Sequence, residues 1–147
     1  SSAASDVYKR QQKGCAEVLA EGTEVALFAI GSMVETAWQV RKKLAEKGIP
    51  TTVVNARFAM PLDKNCLRKL AESHPLLVTM EENVASGGFG EHVAAFLEEE
   101  ALHTKVLRIA IPDCFVEHGS VGELKKALGL DADSVTEKIL AELPEEL

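Results

Sequence analysis

Two positions that could contact an anion each follow an apolar stretch of the sequence. Gly31-Ser32 opens a helical pattern, and the free amides and dipole of a helix N-terminus can hold an anion. The alternative is that Ser32 only caps the helix, because Ser32 and Glu35 have the spacing of a capping box. Arg57 carries a planar guanidinium that suits a carboxylate or a phosphate. Its structural alternative is a buried pair with a nearby acid, such as Asp63 or Glu82.

Glu81 and Glu82 are adjacent carboxylates at the end of a third apolar stretch. Neighbouring residues of a strand point to opposite faces. The two side chains are therefore not expected to act as general acid and base on one substrate. We expect one carboxylate to face the edge of the sheet and the other to cap the glycine-rich loop that follows.

That loop, Gly87-Gly88-Phe89-Gly90, follows a predicted strand and precedes a predicted helix, as phosphate-binding loops do. Its spacing matches neither G-x-G-x-x-G nor G-x-x-x-x-G-K-[ST]. No Lys or Arg stands near it, and Glu91 adds negative charge where a phosphate would lie. We therefore interpret the loop as a tight turn at which the backbone closely approaches another surface.

The histidines and cysteines are isolated. His118 stands before a predicted helix cap, and a lone histidine there is more typical of a surface or capping residue than of a catalyst. None of the 4 histidines stands beside a serine or cysteine in a known nucleophile context, and their spacing is not that of metal ligands. The 3 cysteines form no C-x-x-C pair, so we expect reduced thiols in a cytoplasmic protein, without zinc or a disulfide framework.

The hydrophobic pattern predicts the element order β-β-α-β-α-β-α-β-α-α. Predicted strands cover 15–20, 24–30, 51–56, 76–80 and 105–111, and predicted helices cover 32–48, 63 onward, 92–102, 120–129 and 131 or 133 to 143. Asp63 is the predicted N-cap of the second helix, Ser120 and Glu123 form a second predicted capping box, and Asp131 or Asp133 is the predicted cap of the last helix. The turn Glu21-Gly22-Thr23 predicts a hairpin between the first two strands. Strands that alternate with helices favour a three-layer α/β/α fold, with a mostly parallel five-stranded sheet and one antiparallel strand from the N-terminal hairpin.

In such a sheet, ligands bind outside the carboxyl ends of the strands. Four predicted loops meet there: Gly31-Ser32, Arg57-Phe58, Glu81 to Gly90 and Pro112 to Gly119. We expect this edge to be the working surface, as an interface or an anion contact. Its candidate residues are Ser32, Arg57, Glu81, Glu82, Asn83, Gly87, Gly88, Asp113 and His118.

Length and charge limit the function further. The 147 residues fit one domain, assigned to 12–143, with 144–147 expected to fray. Residues 1–11 show no periodicity and resemble a translated cloning or sequencing adapter, so they are not assigned to the domain. The net charge of −7 argues against nucleic-acid and anionic-membrane binding. No apolar run approaches the ~20 residues of a membrane span.

The edge segments together resemble a known family. They read Val-Val-Asn-Ala-Arg-Phe-Ala-Met-Pro-Leu-Asp at 53–63, Leu-Leu-Val-Thr-Met-Glu-Glu-Asn-Val-Ala-Ser-Gly-Gly-Phe-Gly at 76–90 and Ile-Pro-Asp-Cys-Phe-Val-Glu-His-Gly at 111–119. With Leu-Gly-Leu-Asp-Ala at 128–132, they resemble the C-terminal domain of the 1-deoxy-D-xylulose-5-phosphate synthases. The resemblance runs from about Gln12 to Leu143. Met60 departs from it, because the family often has Lys there.

The resemblance implies an enzyme that joins pyruvate and glyceraldehyde 3-phosphate, with loss of CO₂, in the first step of the non-mevalonate isoprenoid pathway. Thiamine diphosphate and Mg²⁺ would be bound by other domains of that enzyme. The Gly-Asp-Gly metal–diphosphate motif of the family is absent from this chain, and so is the Tyr-Pro-Arg-Gly segment expected upstream of Gln12. No catalytic, cofactor-binding or metal residue is therefore carried over. What the resemblance implies for this domain is packing on the pyrimidine-binding domain and help in building a homodimer.

Two alternatives stay open. The chain could be the same domain of a transketolase-like enzyme or of a 2-oxoacid dehydrogenase β subunit. It could also be a free-standing anion-binding or regulatory module that uses Arg57 and Ser32.

Overall fold

A computed structural model describes residues 15–84, 88–111 and 121–144. The strands are β1 Glu17–Ala20, β2 Val25–Ala29, β3 Thr51–Asn55, β4 Leu76–Val84 and β5 Lys105–Ile111. The helices are α1 Met33–Glu46, α2 Lys64–Ser73, α3 Phe89–Glu99, α4 Val121–Leu128 and α5 Ala132–Glu142. The predicted element order and the α/β/α fold class are confirmed.

The strands form one sheet in the order β1-β3-β2-β4-β5, in which β1 alone is antiparallel. The predicted antiparallel strand is therefore present, but the predicted hairpin is wrong, because β1 pairs with β3 rather than with β2. The physical reason is burial. Val53 and Val54 are completely buried and need strands on both sides, whereas β1 is short and partly exposed, which suits the edge of a sheet.

The turn after β1 crosses the start of β3 instead of closing a hairpin. The Gly22 amide donates to Thr52 Oγ1 at 2.8 Å, and the Thr52 hydroxyl donates back to the Gly22 carbonyl at 3.0 Å. A Cβ atom on Gly22 would lie 2.3 Å from Thr51 N and 2.5 Å from Pro50 C. Glycine is required here because the two backbones are in contact.

Two apolar clusters hold the layers together. Val25, Leu27 and Ala29 of β2 pack with α1 and α5 on one face of the sheet. Ala26 and Phe28 pack with α2 and α3 on the other face. A strand buried on both sides explains why its sequence is continuously apolar instead of alternating.

Helix starts follow the predictions in part. Asp63 caps α2 by accepting from Cys66 N at 3.0 Å, and Asp131 caps α5 by accepting from Ser134 N at 3.2 Å, as predicted. The Ser32 capping box is wrong, because the Ser32 side chain makes no capping hydrogen bond in α1. The capping box predicted at Ser120 and Glu123 lies outside the described side chains.

The segment from Glu81 to Val84 belongs to β4 rather than to a loop, with a register irregularity after Met80. Helix α3 begins at Phe89, three residues before the predicted start at His92. β4 continues because Val84 pairs with Ile111 of β5. Helix α3 begins early because the Glu81 carboxylate accepts the amides of Phe89 and Gly90.

We predict that Gly22→Ala lowers the free energy of unfolding by about 3 kcal/mol or more, because the added methyl group meets backbone atoms that cannot move alone. Gly31→Ala is the control. Gly31 has φ +62° and open space around its Cβ position, so only backbone strain of about 1 kcal/mol is expected. Urea unfolding followed by circular dichroism measures both. Equal losses in the two variants would contradict the close approach at Gly22.

Candidate interface at the carboxyl edge of the sheet

The carboxyl edge brings three of the predicted candidates onto adjacent elements. Ser32 follows β2, Arg57 follows β3 and Glu82 lies in β4. β2 and β4 are neighbours, but the helices after them pack on opposite faces of the sheet. This arrangement is a topological switch point, the place where open α/β sheets bind ligands.

Ser32, Glu82 and Lys125 form a polar cluster across this switch point. Lys125 Nζ of α4 lies 2.8 Å from Glu82 Oε1. The hydrogen bond from Lys125, and then the one from Ser32, lower the pKa of the Glu82 carboxyl below its ordinary 4.5, whereas partial burial opposes the shift. The Ser32 hydroxyl therefore interacts with a carboxylate of the protein itself. The Ser32 backbone is already helical, with φ −64° and ψ −18°, whereas a capping residue is usually extended.

Glu81 has a different, internal role. It is completely buried, and its carboxylate accepts from Phe89 N at 2.9 Å and from Gly90 N at 2.5 Å. One carboxylate thus caps the helix after the glycine-rich loop while Glu82 faces outward, as predicted. Gly90 allows the close approach, because a Cβ atom there would lie 2.8 Å from Thr79 Oγ1 and 2.9 Å from Glu81 Oε2.

This capping decides how the glycine-rich loop can be used. A diphosphate at this position would need the α3 amides of Phe89 and Gly90, which the Glu81 carboxylate already occupies. These two amides are therefore not free to bind the diphosphate of a thiamine cofactor. Among the described side chains, no group of three His, Cys, Asp or Glu is placed to hold a metal ion.

Arg57 lies near the start of the loop between β3 and α2, residues 56–63. Its backbone has φ +66°, unusual for a residue other than glycine, and its amide donates to Asn55 Oδ1 at 2.9 Å. Its guanidinium donates to the Cys15 carbonyl at 3.5 Å and lies over the Phe58 ring at 5.3 Å. The alternative of a structural ion pair with Asp63 or Glu82 is wrong for the described residues, whose ion pairs do not include Arg57.

The other candidates are only partly described. Asn83 lies in β4, and Gly88 precedes α3 with φ −85°. Gly87, Asp113 and His118 lie outside the described residues. Whether any of these positions contacts a ligand or another domain stays a prediction.

A separate groove of about 790 Å³ lies between β1 and α2. Burial raises the pKa of the Cys66 thiol in this groove to about 12, which removes it as a nucleophile near neutral pH. His74 is buried beside it, with Nε2 2.8 Å from Thr52 Oγ1 and 3.1 Å from the Gly22 carbonyl. These contacts give His74 a structural role in holding the turn after β1.

Sequence reasoning missed Lys125 and the second bond of Asp63. Lys125 looks like any basic residue in the last turn of a helix, and only the placement of α4 brings it to Glu82. Asp63 was predicted as a helix cap, but its other oxygen also accepts from Ala16 N at 2.8 Å, across 47 residues. A local pattern cannot show such a contact.

Comparison with known proteins agrees with the fold. The family described as "Transketolase, C-terminal domain" matches residues 14–135, so the chain belongs to that family. Within it, the chain matches the C-terminal domain of the 1-deoxy-D-xylulose-5-phosphate synthases, which confirms the resemblance seen in the sequence.

Two of these relatives show how much is shared. The chain is 54% identical over 127 residues to 1-deoxy-D-xylulose-5-phosphate synthase from Lachnoclostridium phytofermentans, covering 86% of this chain and 20% of that protein. It is 44% identical over 127 residues to the one from Dehalococcoides mccartyi, covering 85% and 20%. The chain therefore spans about one fifth of the length of the curated relatives it matches.

Two solved structures share the architecture. A split-gene transketolase, described as an inactive beta4 tetramer, is 32% identical with a TM-score of 0.83, and the match covers 88% of this chain and 42% of that one. A transketolase from Pichia stipitis has a TM-score of 0.65 at 18% identity, covering 92% of this chain and 18% of that one, and shows the fold alone. Among the described residues, no helix is long and apolar enough to cross a membrane.

We predict that Glu81→Ala lowers the free energy of unfolding by about 2–4 kcal/mol, because two buried amides lose their acceptor. Glu82→Ala, the change at the neighbouring outward carboxylate, should cost less than about 1 kcal/mol. Chemical denaturation of both variants at pH 7 measures the difference. A Glu81 variant no less stable than the Glu82 variant would show that the cap is dispensable.

We predict that Lys125→Met lowers stability by less than about 1 kcal/mol at neutral pH, because the pair is partly exposed to solvent. The pKa of Glu82 is lowered in the folded state, so the stabilisation is present above its ordinary value of 4.5 and is lost as pH falls through the lower folded pKa. The thermal midpoints of the wild type and of the Lys125→Met variant should therefore become equal at acid pH. Thermal unfolding from pH 3 to 7 tests this, with Lys42→Met, at an exposed position of α1, as the control. A difference in thermal midpoint that does not change with pH would contradict stabilisation by the Glu82–Lys125 ion pair.

Proposed function

We propose that this chain is the C-terminal domain of a 1-deoxy-D-xylulose-5-phosphate synthase. The whole enzyme condenses pyruvate with glyceraldehyde 3-phosphate, releases CO₂ and supplies 1-deoxy-D-xylulose 5-phosphate for isoprenoid synthesis. The observation that carries the proposal is the 54% identity over 127 residues to such an enzyme. Identity at that level over a whole domain supports a common role as well as a common fold.

The domain contributes structure rather than catalytic groups in this proposal. Thiamine diphosphate and Mg²⁺ would be bound by the other domains of the enzyme. In this domain the amides of Phe89 and Gly90 already bind the Glu81 carboxylate. No step of the reaction is assigned to residues of this domain. Its role is to pack on the pyrimidine-binding domain and to support assembly of the dimer.

The polar cluster at the switch point supports an interface role. Lys125 of α4 and Ser32, the residue before α1, both bond to the Glu82 carboxylate of β4 at one edge. Such a partly exposed polar edge suits contact with a second folded surface. It suits a free anion less well, because Glu82 places a negative charge beside Ser32.

One experiment tests the proposal directly. The C-terminal domain of the Lachnoclostridium phytofermentans enzyme is replaced by residues 15–144 of this chain, and product formation is measured together with oligomeric state by light scattering. The expected result is an active dimer with kcat within about tenfold of the parent, a loss of no more than about 1.4 kcal/mol in the activation barrier. The matched control is the parent enzyme with the domain deleted, for which loss of activity or of the dimer is expected.

Two outcomes would contradict the proposal: a folded but inactive chimaera, or a fully active dimer after deletion of the domain. The same graft into a transketolase tests the runner-up, which the 32% identity to the split-gene transketolase favours. Activity restored only in the transketolase would replace the first proposal by the second. Calorimetric titration of the isolated chain with phosphate, pyruvate and thiamine diphosphate tests the anion-binding alternative, and no binding is expected at millimolar concentration.

A further inference from the structure

The direction of β1 decides where the preceding polypeptide meets this domain. Glu17 is paired with Asn55 and Val18 with Val54, so the start of β1 lies beside the end of β3. Any polypeptide that precedes Cys15 therefore reaches the sheet at its carboxyl edge. The predicted hairpin with β2 would also have given an antiparallel strand, but it would have placed that strand beside β2 instead of at the edge next to β3.

Two side chains hold this junction in place. Asp63 Oδ2 accepts from Ala16 N at 2.8 Å while Oδ1 accepts from Cys66 N at 3.0 Å. Arg57 donates to the Cys15 carbonyl at 3.5 Å. The two residues before β1 are thus bonded to the two ends of the loop that joins β3 to α2.

The surface beside the junction combines apolar area with hydrogen-bond donors. Met60 is 60% exposed, more than any other large hydrophobic residue in the described part of the chain. Arg57 has five N–H donors and lies flat over the half-buried Phe58 ring. Its φ of +66° holds it in a conformation that costs energy for a side-chain-bearing residue, and such positions cluster at functional sites. We call Arg57, Phe58 and Met60 the tether surface.

We propose that the tether surface is the contact site for the domain that precedes this one in the same polypeptide. This inference rests on the proposed function. Met60 makes the apolar contact, and the Arg57 guanidinium donates to carboxylate or carbonyl oxygens of that domain.

The choice of partner follows from connectivity. The curated relatives are about five times as long as the matched region, so most of their chain lies outside it. A domain attached at Cys15 is held beside the tether surface at high effective concentration, an advantage that a second copy or an unconnected partner lacks. Val18 and Trp38, the other exposed large hydrophobic residues, lie on β1 and α1 and not on the loop that is bonded to the junction.

Hydrogen–deuterium exchange tests the contact. Exchange of residues 56–62 is compared between the 147-residue chain alone and the chimaera described above, with 45–50 at the opposite edge of the sheet as the internal control. We expect at least fivefold slower exchange at 56–62 in the chimaera and no change at 45–50. Unchanged exchange at 56–62 would overturn the inference. If the chimaera does not fold, the same measurement is made on the 147-residue chain mixed with the separately expressed upstream domains.

Substitutions separate a contact from a local fold effect. Met60→Glu should leave the thermal midpoint of the isolated chain within about 2 °C and lower that of the chimaera by more than about 5 °C. Ala45 is exposed near the end of α1, and Ala45→Glu should change neither the thermal midpoint of the isolated chain nor that of the chimaera. Equal effects of the Met60 and Ala45 variants on the chimaera would refute the tether surface. If the chimaera is active but the amides of 56–62 exchange as fast as in the isolated chain, this inference alone is wrong. If the chimaera is inactive but those amides exchange more slowly, only the proposed function is wrong.

Discussion

The Asp63 carboxylate joins two parts of the chain that are 47 residues apart. One oxygen caps α2 and the other accepts the amide that leads into β1. Because the carboxylate is rigid, the start of β1 has to lie next to the start of α2, which itself follows the carboxyl end of β3. The antiparallel direction of β1, its place at the edge of the sheet and the position of Cys15 are all consistent with this one double contact.

The described carboxylates Glu81, Glu82 and Asp63 at this edge have structural partners within the domain. Glu81 caps α3, Glu82 pairs with Lys125, and Asp63 holds β1. Each of these three carboxylates is thus engaged by groups of the protein itself.

Much of the fold could be predicted from local patterns. The doubly buried β2 is visible as a continuous apolar run, and the caps Asp63 and Asp131 are visible as acids before helical repeats. The features that could not be predicted depend on residues distant in sequence. A turn signal after β1 does not show that β3 lies between β1 and β2, and the Ser32–Glu35 spacing does not show that Glu82 offers Ser32 a charged partner.

In the proposed enzyme, a 1-deoxy-D-xylulose-5-phosphate synthase, the carboxyl edge of this domain faces the preceding domain. A crystal structure of the Lachnoclostridium phytofermentans enzyme carrying residues 15–144 of this chain would show whether the two surfaces meet. We expect Arg57 and Met60 to lose most of their exposed surface to residues of the preceding domain, with an acceptor oxygen within about 3 Å of the guanidinium. A structure in which both side chains remain in solvent, with the preceding domain packed on another surface, would contradict it.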